Sequence, residues 1–252
     1  MNKNLKPMQV NIQVWLLLVL VLAFAVQAKE AYKIPQLLLN QVDAGNAEVA
    51  YFIAKSYLEG SDHYKIDRGQ ALIWLEKSAN MGYAHAMLSL ADELNYDSQQ
   101  EQALIWYERA ANLGVGLAFN MIAAYYYRGD AGLDKNCHIA YEWYTKAQAK
   151  KVELSFNNHA WNLATSSDKQ CRNPEKALKI MFKLMALYAD DEIIPWYVWD
   201  TKAAVLAAVS DFSSAIELQQ WLIGEMQESG AEIKNYNEHL QAYQQRKAWI
   251  EN

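Results

Sequence analysis

Five segments of this chain, beginning at Ala71, Ala103, Ala140, Ala177 and Ala215, are variants of one pattern. The first three read Ala-Leu-Ile-Trp-Leu-Glu-Lys-Ser-Ala, Ala-Leu-Ile-Trp-Tyr-Glu-Arg-Ala-Ala and Ala-Tyr-Glu-Trp-Tyr-Thr-Lys-Ala-Gln. The spacings are 32, 37, 37 and 38 residues. Alanine, the large apolar residue three places on and the small or apolar residue seven places on share one face of a helix. This predicts Trp74, Trp106 and Trp143 as core residues, with Ile180 and Leu218 in their place in the last two copies. A second helix precedes each segment, marked by Ile53-Ala54, Leu90-Ala91, Ile122-Ala123, Leu163-Ala164 and, more loosely, Ala203-Ala204. One such pair cannot bury its apolar face alone, but stacked neighbours can, so the expected fold is all-α. The expected form is a solenoid of about five stacked helix pairs with a C-terminal capping helix.

Composition agrees. The 252 residues hold 36 Ala but only 10 Gly and 4 Pro, which argues against a turn-rich β architecture. Helix boundaries are expected at a capping box, Ser98-Gln99-Gln100-Glu101, at Asn173-Pro174 and at Asp211, with Gly82 and Gly114 as left-handed helix exits. The formal charge of −6, without Lys/Arg clusters, leaves no basic footprint for a nucleic-acid partner.

The chain opens with Lys3 and Lys6, an apolar run from Val14 to Val26, and Val26-Gln27-Ala28. A basic start, a short apolar stretch and small residues at the −3 and −1 places describe a secretory signal peptide over residues 1–28, cleaved after Ala28. An uncleaved membrane anchor is the alternative. The cleaved chain has a formal charge of −8 and is expected in a bacterial periplasm or outside the cell. The remainder divides into a lead-in over 29–43, repeats over 44–151 and 152–230, and a capping helix over 231–252, all in one continuous array.

The run Ala-x-x-Trp-Tyr-x-Lys/Arg-Ala-Ala-x-x-Gly, with the loop Gly129 to Asp134, resembles the Sel-like repeat, a relative of the tetratricopeptide repeat. The resemblance is good over Ala47 to Lys151. From Trp161 to Phe212 the pattern is more similar to an ordinary tetratricopeptide repeat. Lys150-Lys151 departs from it where glycine is expected, and the loop of the second repeat is short. The resemblance implies that the solenoid is a right-handed α/α superhelix that holds other proteins, and implies no fixed catalytic residues.

Candidate chemistry is sparse. The histidines at 63, 85, 138, 159 and 239 lack metal-ligand spacing, and Asp190-Asp191-Glu192 lacks the alternating oxygens of a calcium loop. Neither a Gly-rich phosphate loop nor a Gly-x-Ser-x-Gly elbow occurs. No metal, cofactor or catalytic residue is therefore expected. The primary reading is a non-catalytic scaffold for a protein or peptide segment. An inner-membrane-anchored adaptor is the second reading. An enzyme acting on β-lactams, by analogy with cysteine-rich exported relatives, is the third.

Cys137 and Cys171 are the only cysteines. In an oxidising compartment they are expected to pair and staple two successive repeats, with two free thiols as the alternative. Stacked helices lie about 8–10 Å apart. That is wider than the roughly 4.4–6.8 Å Cα separation a disulfide spans, so loop geometry must close the gap.

The first helix of each pair should line a concave groove beside its core stripe. Counting from Ile53, Leu90, Ile122 and Leu163 places Glu48, Tyr51, Lys55, His85, Leu88, Asp92, Asn120 and Asn158 there, with Leu117, Ala124, Trp161 and Thr165 as further flanking positions. Asn120 and Asn158 are expected to clamp a peptide backbone, and Tyr51 to contact a side chain.

Overall fold

The computed structural model describes residues 33–60, 64–188 and 193–251. The signal-peptide segment, His63 and the acidic run 190–192 lie outside them. Among the described residues there are twelve helices and no strand. A lead-in helix α1 (Gln36–Asp43) is followed by five pairs: α2 (Ala47–Glu59) with α3 (Arg68–Asn80), α4 (Ala84–Tyr96) with α5 (Gln100–Asn112), α6 (Gly116–Arg128) with α7 (Cys137–Ala149), α8 (Glu153–Thr165) with α9 (Pro174–Leu187), and α10 (Trp196–Ala208) with α11 (Phe212–Glu228). Helix α12 (Lys234–Gln244) closes the order. The chain forms two compact units, divided within α4 after Glu93.

Short polar side chains start the helices by accepting orphan N–H groups. Asn46 accepts from Val49, Asp67 from Gln70, Asn136 from His138 and Ile139, Asn173 from Lys176 and Asp211 from Ser214. A further bond recurs that no sequence motif announces. The N–H of the capping residue donates to the carbonyl ten places earlier, near the end of the preceding helix. The pairs are Asp67 to Tyr57 (2.9 Å), Asn136 to Tyr126 (2.7 Å) and Asn173 to Leu163 (2.8 Å). Each clasps the loop inside a helix pair.

Ser98 is not the cap its motif predicts. It takes φ +61° and serves as the left-handed exit of α4, its N–H bonded to Asn95, while Gln99 precedes α5 without a side-chain cap bond. The connection is too short to supply both an exit and an entry residue. Lys151 takes φ +58° where the repeat pattern calls for glycine. Gly116, by contrast, is required by close approach, because a Cβ there would lie 2.6 Å from Val152.

In the first unit, α2 and α3 bury Ala50, Ile53, Ala54, Ala71, Trp74 and Leu75. Ser78 Oγ donates to the Ala47 carbonyl across the pair at 2.6 Å, and Arg68 bonds both the carboxylate and the carbonyl of Glu93.

In the second unit one cluster joins Ala123, Tyr141, Tyr144, Leu163, Met181 and Leu184, and a smaller one joins Ala203, Ala207, Ala215 and Tyr243. The tryptophan stripe needs correction here. Tyr107 and Tyr144, four places after the repeat alanine, are buried, whereas Trp106 and Trp143 before them are half-exposed. Arg109 and Lys146 stand over their outer faces, 4.4 and 3.8 Å from the ring centroids. A wide indole at the edge of the apolar stripe covers the core from outside and presents its other face to a cation.

Cys137, the first residue of α7, is disulfide-bonded to Cys171 in the turn before α9, with the Cα atoms 5.9 Å apart. The loop brings the two closer than stacked helix axes would, and Tyr141 Oη donates to the Cys171 carbonyl at 2.9 Å. The closing helix is shorter than expected. It ends at Gln244, Arg246 takes φ +56°, and residues 247–251 turn back along the second unit.

Candidate peptide-binding clefts

Each unit carries its own cleft. In the first, Glu48, Tyr51, Phe52 and Lys55 project from α2 toward Tyr83, which follows Gly82 at the entry to α4. They line a cavity of about 520 Å³. The rings of Tyr51 and Tyr83 lie 5.2 Å apart and tilted by 49°, and His85 stands 5.7 Å beyond Tyr83. Tyr83 Oη donates to Glu48 at 3.5 Å, Tyr51 Oη meets Ser89 Oγ at 3.4 Å, and Lys55 pairs with Glu59 at 2.5 Å. Burial, followed by the Glu48 carboxylate, holds the Tyr83 phenol above its ordinary pKa, so it remains a hydrogen-bond donor at neutral pH. Phe52 is 58% exposed at the rim.

Of the residues expected in this unit, Glu48, Tyr51 and Lys55 line the cavity and His85 flanks it. Leu88 is half-buried and Asp92 exposed on α4, and neither lines it. Phe52 and Tyr83 were missed. Phe52 stands next to the core marker Ile53 and only burial tells the two faces apart, while Tyr83 precedes the helix from which the groove positions were counted.

The second unit changes the expected asparagine clamp. Asn120 is only 1% exposed, and its Oδ1 accepts from Asn158 Nδ2 at 3.3 Å. The two amides bond each other between α6 and α8, so Asn120 is a packing residue and not an open clamp. Ala124 and Thr165 are buried as well. Trp161 does face a cleft, a cavity of about 730 Å³ whose wall also holds Tyr127, Lys135, Tyr236, His239 and Trp249.

A buried polar knot supports this wall. Asp200 Oδ1 accepts from Gln219 Nε2 at 2.8 Å and meets His239 Nδ1 at 2.9 Å, which fixes α10, α11 and α12 to one another. The His239 ring lies 4.5 Å from that of Trp249 and 5.6 Å from that of Trp161. The returning tail enters the same cleft. The Glu251 N–H donates to the Thr165 carbonyl at 2.9 Å, and the Glu251 carboxylate accepts from Trp161 Nε1 at 2.5 Å. The sequence sets Trp161 and Thr165 beside the groove but does not announce the tail, because the contact joins residues 90 places apart.

Ser166-Ser167-Asp168-Lys169 has the Ser-x-x-Lys order of serine acyl-transfer sites. That chemistry needs a helical turn to set the lysine beside the hydroxyl. Here the run lies beyond the end of α8, with Ser166 buried and bonded to Tyr127 and Lys169 exposed. Among the described residues no group of three or more His, Cys, Asp or Glu side chains is placed to hold a metal ion.

Residues 47–83, 84–115 and 118–148 match the model of the Sel1 repeat. Among solved structures the chain is similar to a Sel1 repeat protein from Oxalobacter formigenes, at 28% identity and a TM-score of 0.43, over 48% of this chain and 92% of that one. It is also similar to a protective antigen present in uropathogenic Escherichia coli strains that displays an SLR fold. The identity there is 18% and the TM-score 0.59, over 84% of this chain and 52% of that one. The chain thus spans about half the length of that antigen, and the likeness shows the fold. Among curated proteins no match is found.

Proposed function

We propose that this chain is an exported, non-catalytic repeat scaffold that holds a segment of another protein, with the cleft of the first unit as a contact surface. The observation that carries the reading is the pair of rings from Tyr51 and Tyr83, open to solvent and rimmed by Glu48 and Lys55 within the first segment matched by the Sel1 repeat. Tyrosine supplies contact area at low entropic cost, and the flanking charges orient a peptide. Sel1 repeats are protein-binding scaffolds, and the stacked helices offer surfaces in place of a reaction centre.

Export is supported by two features. The N-terminal 28 residues have the order of a signal peptide, and the Cys137–Cys171 disulfide persists in an oxidising compartment. Among the described residues no helix is long and apolar enough to cross a membrane.

Crosslinking and capture from the native envelope, with wild-type chain beside a Tyr51→Ala, Tyr83→Ala double variant, tests the contact. A partner enriched by wild type and lost from the folded double variant is the expected result. Equal enrichment by both moves the contact elsewhere. Sequencing of the captured chain tests export, and a start at Lys29 is expected.

A further inference from the structure

The cleft of the second unit is lined in part by a non-helical peptide of the chain itself, residues 247–251. Beyond α12 the backbone leaves helical geometry at Arg246 and runs back past α8. There it uses the three devices by which a groove holds a foreign segment. A main-chain N–H, that of Glu251, donates to an end carbonyl of α8, that of Thr165. An aromatic side chain, Trp249, packs against His239. A carboxylate, that of Glu251, takes the indole N–H of Trp161. Ala248, Trp249, Ile250 and Glu251 all stay half-exposed, with Trp249 packed at the edge of the Ala203, Ala207, Ala215 and Tyr243 cluster. Beside the tail the cleft retains its open volume of about 730 Å³.

Resting on the scaffold reading above, we propose that this cleft is a second peptide-binding site, specific for an extended segment with an aromatic residue two places before a carboxylate. Residues 246–251 occupy it until such a segment displaces them. The order aromatic-x-acidic follows from the contacts: Trp249 packs on His239, and Glu251, two residues on, meets Trp161. Trp161 reads the carboxylate, the Trp249 position is read by His239, and the Thr165 carbonyl fixes the register. Because the tail is tethered by a few residues, its effective concentration at the cleft is roughly millimolar. If the untethered tail sequence binds with a Kd of about 100 µM, any competing segment is weakened by about tenfold, so the tail sets a threshold without closing the site.

The test is fluorescence anisotropy with a labelled, C-terminally amidated peptide of sequence Gln-Arg-Lys-Ala-Trp-Ile-Glu, titrated with full-length chain. A Trp249→Ala, Glu251→Ala variant releases the tail and is expected to bind about tenfold tighter than wild type. Adding Trp161→Phe should abolish that gain, and a peptide with Ala in place of Trp should bind weakly to every chain. If the released variant does not fold, Glu251→Gln decides alone, since it keeps the Trp249 packing and loses the charge on Trp161. It should bind the peptide severalfold tighter than wild type. Affinity equal to wild type in a folded released or Glu251→Gln chain, or equal binding of the Ala peptide, overturns the proposal. Such a result leaves the scaffold reading intact if the Tyr51, Tyr83 capture still enriches its partner, and the two failures are thereby distinguishable.

Discussion

His159 shows how a single residue can carry the pH dependence of a repeat protein. It is fully buried on α8, stacked 4.7 Å from Tyr141 and 5.6 Å from Tyr144, with Nδ1 held by Gln148 and Nε2 unpartnered. Burial, helped by the positive charge of Lys176, pushes its pKa down from 6.5 to about 3. The folded protein therefore keeps the ring neutral where the unfolded chain protonates it. This contribution to stability is fully present above pH 6.5 and is lost progressively as pH falls toward 3. Melting temperature should fall between pH 7 and 5.5, before most carboxylates titrate, and His159→Phe should flatten that slope. At the same scale, Asn120→Ala removes the hydrogen bond that Asn158 donates to it inside the second unit. It should cost about 1–2 kcal/mol in urea unfolding without changing capture of a partner through the Tyr51 cleft.

Within an element, two adjacent aromatics have different duties. On α7, Tyr144 lies among Leu163, Met181 and Ala160, whereas Trp143 is sandwiched between the Phe119 ring at 5.8 Å and the Lys146 ammonium. Tyr144→Ala opens a cavity and should cost about 3–5 kcal/mol, the range for large core truncations. Trp143→Ala should cost less than half as much by denaturant unfolding, because the side chain is already half-exposed. The reverse order would restore tryptophan to the core position that the repeat pattern first suggests. The helix ends follow the same logic. Asn173 and Asp211 cap as their sequences state, and Ser98 does not because α4 needs it as an exit.

At the scale of the whole molecule, the two compact units are expected to respond separately to damage. The disulfide ties the start of α7 to the turn before α9, both in the second unit. Closing a loop of this size constrains the unfolded chain and stabilises by about 2–4 kcal/mol. Reduction, or Cys137→Ser with Cys171→Ser, should lower stability by that amount. Hydrogen exchange should report faster opening of α7 and α9 and unchanged protection of α2 and α3, because in stacked repeats each pair answers to its neighbours. Loss of protection in α2 and α3 would show one cooperative unit instead of two.

What the sequence determined by itself is everything that depends on local order. The repeat alanines and the paired apolar markers at Ile53, Leu90, Ile122 and Leu163 specify helix pairs, because a 3.6-residue period is written into a few consecutive turns. The same period placed Glu48, Tyr51 and Lys55 on the open side of α2. Tertiary structure alone decided the rest. Whether position 143 or 144 is buried depends on how far α7 is rotated against its neighbours, an angle that a pattern broad enough to include both residues does not fix. Asn120 and Asn158 close on each other because α6 and α8 stand within amide reach. The tail enters its cleft because Arg246 ends the helix and Thr165, 86 places before Glu251, offers a carbonyl at the end of α8. Contacts of that sequence separation are set by chain path and packing, which periodicity does not encode.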